Sequence, residues 1–173
     1  SWTYVAYVNN SDIHSVCESH AAWNPSRGLC NAPNQVKDPP MNTREAIYPA
    51  ASARHALYDQ HGYSPAVRSG GLLFVSGQVG SREDGSPEET YPEQVERAFK
   101  NLEAVLDAGG CGFSDIIDVT SFHTDPNAQF PDFMSVKERY FRNRPFPAWT
   151  AVGVTWLAGF DLELKVVACI PGK

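Results

Sequence analysis

Five histidines, four cysteines, twenty acidic side chains and a few isolated serines and tyrosines are the groups in this sequence that could do chemistry. Their spacing excludes more than it assigns. No two histidines stand at an HxxxH interval, and Cys17, Cys30, Cys111 and Cys169 form no CxxC pair, so no metal site is expected. Ser76-Gly77-Gln78 lacks the flanking pattern of a nucleophile elbow. Gly77, Gly80 and Gly85 do not build a phosphate-cradling loop. Cys111, after Gly109-Gly110, reads as a small buried apolar group. His123, beside Phe122 on an apolar run, reads either as a hydrogen-bonded core residue or as a ligand contact. Glu163 alternates with Leu162 and Leu164, so it faces away from them, as a solvated strand residue or as a group that orients water.

The elements that must carry these residues are legible from Tyr63 onward. Ala66-Val67-Arg68 and Leu72–Ser76 flank Ser69-Gly70-Gly71, a hairpin pattern. Arg82–Glu89 is a charged loop with an Asp84-Gly85 turn. Pro92–Ala108 is expected as a helix, with Val95, Ala98, Phe99, Leu102, Val105 and Leu106 in one apolar stripe and Gly109-Gly110 ending it. A strand over Ile116–His123 follows, then a helix over Pro131–Phe141 with Phe133, Val136, Tyr140 and Phe141 inward. Pro145 and Pro147 interrupt the chain before strands at Ala148–Trp156 and Leu162–Ile170. The order β-β-α-β-α-β-β predicts an α+β domain with a mixed sheet and two helices on one face. The last two strands are apolar at nearly every residue, where a sheet with one solvated face should alternate. Both faces are therefore expected to be covered, the second by another subunit.

The composition, 42% apolar and 20% charged, is that of a globular protein. The formal charge is −6, of which about −1 falls in Ser1–Pro40 and −5 in the remainder. No Lys/Arg cluster offers the footprint that a phosphate backbone requires, so nucleic acid is not expected as a partner. No apolar run approaches the roughly 20 residues of a membrane-spanning helix. No secretory signal is visible at the N-terminus, and a cytoplasmic location with reduced thiols is expected. Ser1–Pro40 shows no sustained period of 2 or 3.6 and ends in Lys37-Asp38-Pro39-Pro40. It is expected to be an extension ahead of a domain over 41–173, foreign to it or carried over from an over-extended reading frame, with a native docking segment as the alternative.

One set of motifs carries a resemblance. Tyr63-Ser64-Pro65-Ala66-Val67, Leu73–Gly80 (LFVSGQVG), Asn101–Leu106, Ile116–Thr120, Pro147-Ala148 and Leu162–Ala168 resemble the Rid family (reactive intermediate deaminase, the YjgF group) in order and spacing. Asp118–Asp125 (DVTSFHTD) and Trp149–Phe160 (WTAVGVTWLAGF) are most similar to its YjgH branch. The resemblance implies a chorismate-mutase-like fold and a homotrimer whose sheets form a central barrel, with small-molecule clefts between subunits. It also implies cofactor-free hydrolysis of reactive 2-imino or enamine acids to keto acids and ammonia.

Such a reaction requires a cation for the substrate carboxylate, an acceptor that holds water at the imine carbon, and polar groups for the developing charge. By the resemblance, the family's water-associated Glu falls on Glu163, the Ser of Ser-Gly-Gln on Ser76, and the pocket aromatic on Tyr63. The carboxylate-binding Arg falls on Trp149. Glu163 and Ser76 are thus the catalytic candidates, and Tyr63, Trp149 and His123 the substrate-binding ones. An indole has one N–H and no charge, so it cannot clamp a carboxylate, although it can stack on a flat ligand. The expectation is a hydrolase or deaminase with an altered substrate, with a non-catalytic small-molecule binding or sensing protein as the alternative.

Overall fold

Two consecutive glycines with positive φ, Gly70 at 57° and Gly71 at 79°, turn the chain between strands β2 (Ala66–Ser69) and β3 (Leu72–Val79). Positive φ at both central residues is the I′ geometry that matches the twist of a two-residue hairpin. In the computed structural model, residues 44–172 are described, and the expectation for Ser1–Pro40 lies outside them. The remaining elements are β1 (Glu45–Ile47), α1 (Leu57–His61), α2 (Tyr91–Gly109), β4 (Ile116–His123), α3 (Pro126–Tyr140), β5 (Ala148–Gly153) and β6 (Leu162–Cys169). They form one six-stranded mixed sheet in the order β1-β2-β3-β6-β4-β5, antiparallel except for the β4–β5 pair.

The α2 stripe packs as its period requires. Val95, Ala98, Phe99, Leu102, Val105 and Leu106 are all buried. The Glu93 carboxylate accepts from the Thr90 N–H (3.1 Å) and hydroxyl (2.8 Å), fixing the first turn, and Gly110 at φ 74° ends the helix. Facing this stripe are Leu73 and Val75 of β3, Val119 of β4, and Leu162, Leu164, Val166 and Ala168 of β6. Phe133 and Val136 of α3 complete the core.

Several expectations need correction. The fold has three helices rather than two, and a β1 strand precedes the hairpin. Both extra elements are too short, at five and three residues, to display a period. α3 begins at Pro126, not Pro131. Asp125 caps it, accepting from the Ala128 N–H at 3.3 Å, and Pro131 sits inside the helix on its exposed side. β5 stops at Gly153, so Trp156 lies in the following loop. β6 alternates after all: Leu162, Leu164, Val166 and Ala168 are buried under the helices, whereas Glu163, Lys165, Val167 and Cys169 face the other way.

β3 contains a defect that matters for the site. Val75 pairs with Val166 and Gln78 with Leu164, so Ser76 and Gly77 together oppose Lys165 alone. This is a β-bulge. It shifts the alternation by one residue: Leu73 and Val75 face the helices before it, and Gln78 does so after it.

Candidate functional site

Beyond the bulge, Val79 pairs with Glu163, and Glu163 also pairs with Phe122 of β4, all on the face away from α2 and α3. The Glu163 carboxylate folds back over Gly77, where a β-carbon would stand 2.2 Å from Oε1. Only a residue without a side chain leaves that seat open. The carboxylate lines a cleft of about 260 Å3 together with Tyr63, Gly77, His61, Trp156 and Phe160. Among the described residues, neither Lys nor Arg contributes to its wall.

The electrostatics follow from burial. Removal from water pushes the Glu163 carboxyl above the ordinary carboxylate range, with Lys165 partly opposing the shift. Burial, and then the negative charge of Glu163, raise the Tyr63 phenol. A carboxylate more basic than usual therefore sits beside a phenol held in its protonated form, and no hydrogen bond to that carboxylate exists among the described residues. The pair can accept a proton from water and donate to a leaving nitrogen.

Three supports position this pair. Tyr58 of α1 is buried and donates to Gln78 Oε1 at 2.9 Å, while Gln78 Nε2 donates to the Ser76 carbonyl at 3.0 Å. That chain fixes the bulge from beneath. Tyr63 meets Tyr58 edge-on at 5.3 Å between centroids. The opposite wall is the loop from 154 to 161, which turns through Ala158 (φ 55°) and Gly159 (φ 95°). It is moored by Asp161, which accepts from Gln94 Nε2 at 3.1 Å and Thr124 Oγ1 at 3.1 Å and donates its N–H to Gln94 Oε1 at 2.9 Å.

The five candidates from the sequence divide between the two faces of the sheet. Tyr63 and Glu163 meet in the cleft. Ser76 lies in the bulge next to Gly77, and its hydroxyl donates to the Ser64 carbonyl at 2.7 Å. His123 and Trp149 are on the helix face and do not line the cleft. His123 is fully buried, and burial lowers the pKa of its ring. Its Nε2 and the Trp149 Nε1 both meet Ser121 Oγ, each at 3.0 Å. The Trp149 ring is edged by Phe133 and Phe141 and covered by Lys137, whose Nζ lies 4.3 Å from the ring centroid. Residue type alone did not point to His61, Gly77 or Trp156. A glycine inside a strand pattern is the one available signal, since it marks a bulge or a close approach.

A larger groove of about 380 Å3 runs between α2 and α3. Two ion pairs cross its wall, Arg97 with Glu88 and Arg139 with Glu96, beside Lys100 and Asp132. No three His, Cys, Asp or Glu side chains converge to hold a metal among the described residues. No helix among them is long and apolar enough to cross a membrane.

The fold has counterparts among known proteins. The family model described as endoribonuclease L-PSP matches residues 53–170. The chain belongs to this family, the Rid or YjgF group. It is 64% identical over 131 residues to the RutC family protein YjgH of Escherichia coli (strain K12), covering 76% of this chain and 98% of that protein. A solved structure of protein YjgH superposes with a TM-score of 0.71 at 64% identity, over 75% of this chain and 98% of that one. A 2-iminobutanoate/2-iminopropanoate deaminase from Dermatophagoides farinae is 36% identical over 110 residues, 61% of this chain and 84% of that protein. This Rid-family chain therefore carries the scaffold of its relatives, with the mixed sheet of the expected chorismate-mutase-like fold upheld and a third helix and a β1 strand added.

Proposed function

We propose that this Rid-family protein is a cofactor-free hydrolase of small imines or enamines that lack the carboxylate of the 2-imino acids. It acts in the Tyr63–Glu163 cleft as a homotrimer. The observation that carries this reading is the partly buried Glu163 carboxylate, seated over Gly77 and sharing with Tyr63 a cleft that has no Lys or Arg among its described lining residues. Glu163 accepts the proton of a water that attacks the C=N carbon, and the proton then passes to the nitrogen, which departs as ammonia. Tyr63 donates to the reacting nitrogen or to the carbinol oxygen. Relatives named as 2-iminobutanoate/2-iminopropanoate deaminases support the reaction class. The position that resembles the family's carboxylate-binding Arg is Trp149, which lies on the helix face against Ser121 and α3, so it brings no cation to the cleft. The trimer would cover the sheet face on which Phe74 is 46% exposed.

The test is ammonia release from a panel of imines with and without a carboxylate, generated in place, using the wild-type chain and Glu163→Gln. Turnover of the carboxylate-free imines should fall about 100-fold or more in the variant, the contribution of one positioned acid–base group. Equal turnover by the variant would remove the assignment. Absence of turnover on every imine would leave the chain as a binding or sensing protein.

A further inference from the structure

Trp156 is 76% exposed, the largest exposure among the big apolar residues of the described chain. It stands in the wall of the Glu163 cleft, on a loop held in place by Asp161. The cleft thus combines one carboxylate, the phenol ring of Tyr63, the indole of Trp156 and the imidazole of His61, with no Lys or Arg among the described residues of its wall. Lys165, two residues from Glu163 along β6, is exposed and contributes nothing to the lining. An anion entering this cleft would meet a carboxylate and electron-rich ring faces. A planar organic cation would meet a counter-ion and rings that attract positive charge.

We infer that the cleft selects a small planar organic cation of the iminium or amidinium class, with Glu163 as its counter-ion and Trp156 as its stacking wall. The inference rests on the proposed use of this cleft as the substrate site, but it concerns recognition and not turnover. For an iminium substrate the two ideas join. The protonated C=N bond is the more electrophilic form, and Glu163 stabilises it. Water adds to the carbon, and Glu163 takes the released proton and returns it to nitrogen. The C–N bond then breaks, so that one iminium ion and one water give one carbonyl compound and one ammonium ion. Atoms and charge balance with no oxidant, reductant or further reactant.

The test uses three probes of nearly one shape, benzamidinium, benzamide and benzoate, titrated calorimetrically into the full chain. Benzamidinium should bind about 10-fold or more tightly than either of the others, as a charge-assisted pair requires. Glu163→Gln should bring benzamidinium to within about 3-fold of benzamide. Trp156→Leu, a surface change that leaves the core untouched, should weaken benzamidinium and benzamide alike. Benzoate binding as tightly as benzamidinium, a cation preference that survives Glu163→Gln, or no benzamidinium binding at millimolar concentration would each overturn the inference. Its failure is separable from that of the hydrolytic reading. A chain that prefers the cation but releases no ammonia supports the recognition and removes the catalysis; a hydrolase that prefers benzoate does the reverse.

Discussion

Gly77→Ala should disable Glu163 while leaving the fold nearly intact. A β-carbon on residue 77 would stand 2.2 Å from Glu163 Oε1, 2.3 Å from Cδ and 2.8 Å from Cγ. Ordinary contact begins near 3.4 Å, so the carboxylate must retreat by at least 3.4 − 2.2 = 1.2 Å. The backbone does not object, because φ at Gly77 is not positive. The obstruction is the far end of a flexible side chain, and turning it off its preferred rotamer costs about 0.5–1.5 kcal/mol. For a chain of this size that lowers Tm by under about 5 °C. The chemical cost is larger. A displacement of about 1 Å at a reacting group is worth on the order of 100-fold in rate. Ammonia release from a carboxylate-free imine should therefore fall about 100-fold while the melting curve barely moves. Thermal denaturation and a coupled ammonia assay on the same preparation decide the matter. Unchanged turnover would refute the seat of Glu163 over Gly77 as a functional feature. A Tm loss above about 10 °C would show that the glycine is required for the fold instead.

The other expected outcomes are briefer. Gly80→Ala should behave in the opposite way. Its β-carbon would meet the backbone of α2, 2.5 Å from both the Cα and O of Gln94, so stability should drop by about 2–3 kcal/mol in a urea titration. His55 is 3% exposed and tilted against Tyr58 at 3.9 Å between ring centroids, and burial lowers its ring to about 4 from 6.5. Between those values the unfolded chain binds the extra proton, so stability present above pH 6.5 is lost as pH falls toward 4, by up to about 3 kcal/mol. His55→Phe should flatten that acid slope in denaturation curves measured from pH 7 to 4, leaving the smaller share due to His123. Trp149→Arg should destabilise by about 2–3 kcal/mol without creating activity on carboxylate-bearing imines. The guanidinium would face Lys137 beneath α3 rather than the cleft, and the packing against Phe133 and Phe141 would be lost. A gain of activity would place that side chain in the substrate site.

Most of the architecture is legible in the amino-acid order, because it rests on strong periods. The α2 stripe, the Gly70-Gly71 turn and the β4 and β6 strands are repetitive signals, and the packing follows them. What escaped was short or irregular. β1 pairs with β2 through three residues, and α1 exists because Tyr58 is drawn to Gln78 and His55 rather than because Leu57–His61 favours a helix. The expected helix starts at Pro131, yet Asp125-Pro126 supplies both a cap and a first-turn proline well before it. For the site, Tyr63 and Glu163 were reachable through the family resemblance, and their shared cleft follows from register. Trp149, a substrate contact by the resemblance, lies on the helix face of the sheet in this chain, against Ser121 and Phe133. Position along a strand fixes the face, but which face holds the ligand depends on what covers the other. The apolar run extends the expected strand to Trp156, whereas the chain leaves the sheet at Gly153 and makes that indole a cleft wall.

The bulge at Ser76-Gly77 makes β3 one residue longer than the sheet needs. Without either residue, Val75 and Gln78 would stand two apart, as their partners Val166 and Leu164 already do. A regular strand would then still turn both toward the helices, because side chains alternate with a period of two. The core, and the bond from Tyr58 to Gln78, could survive the loss. The seat beneath Glu163 could not, since one residue would have to serve for two opposite Lys165. The surplus codon therefore serves the cleft and not the architecture. A descendant released from the work of this cleft would be free to drop it and keep a regular ladder. Among related chains, the length of this strand would then record whether the cleft is still in use, independently of which side chains line it.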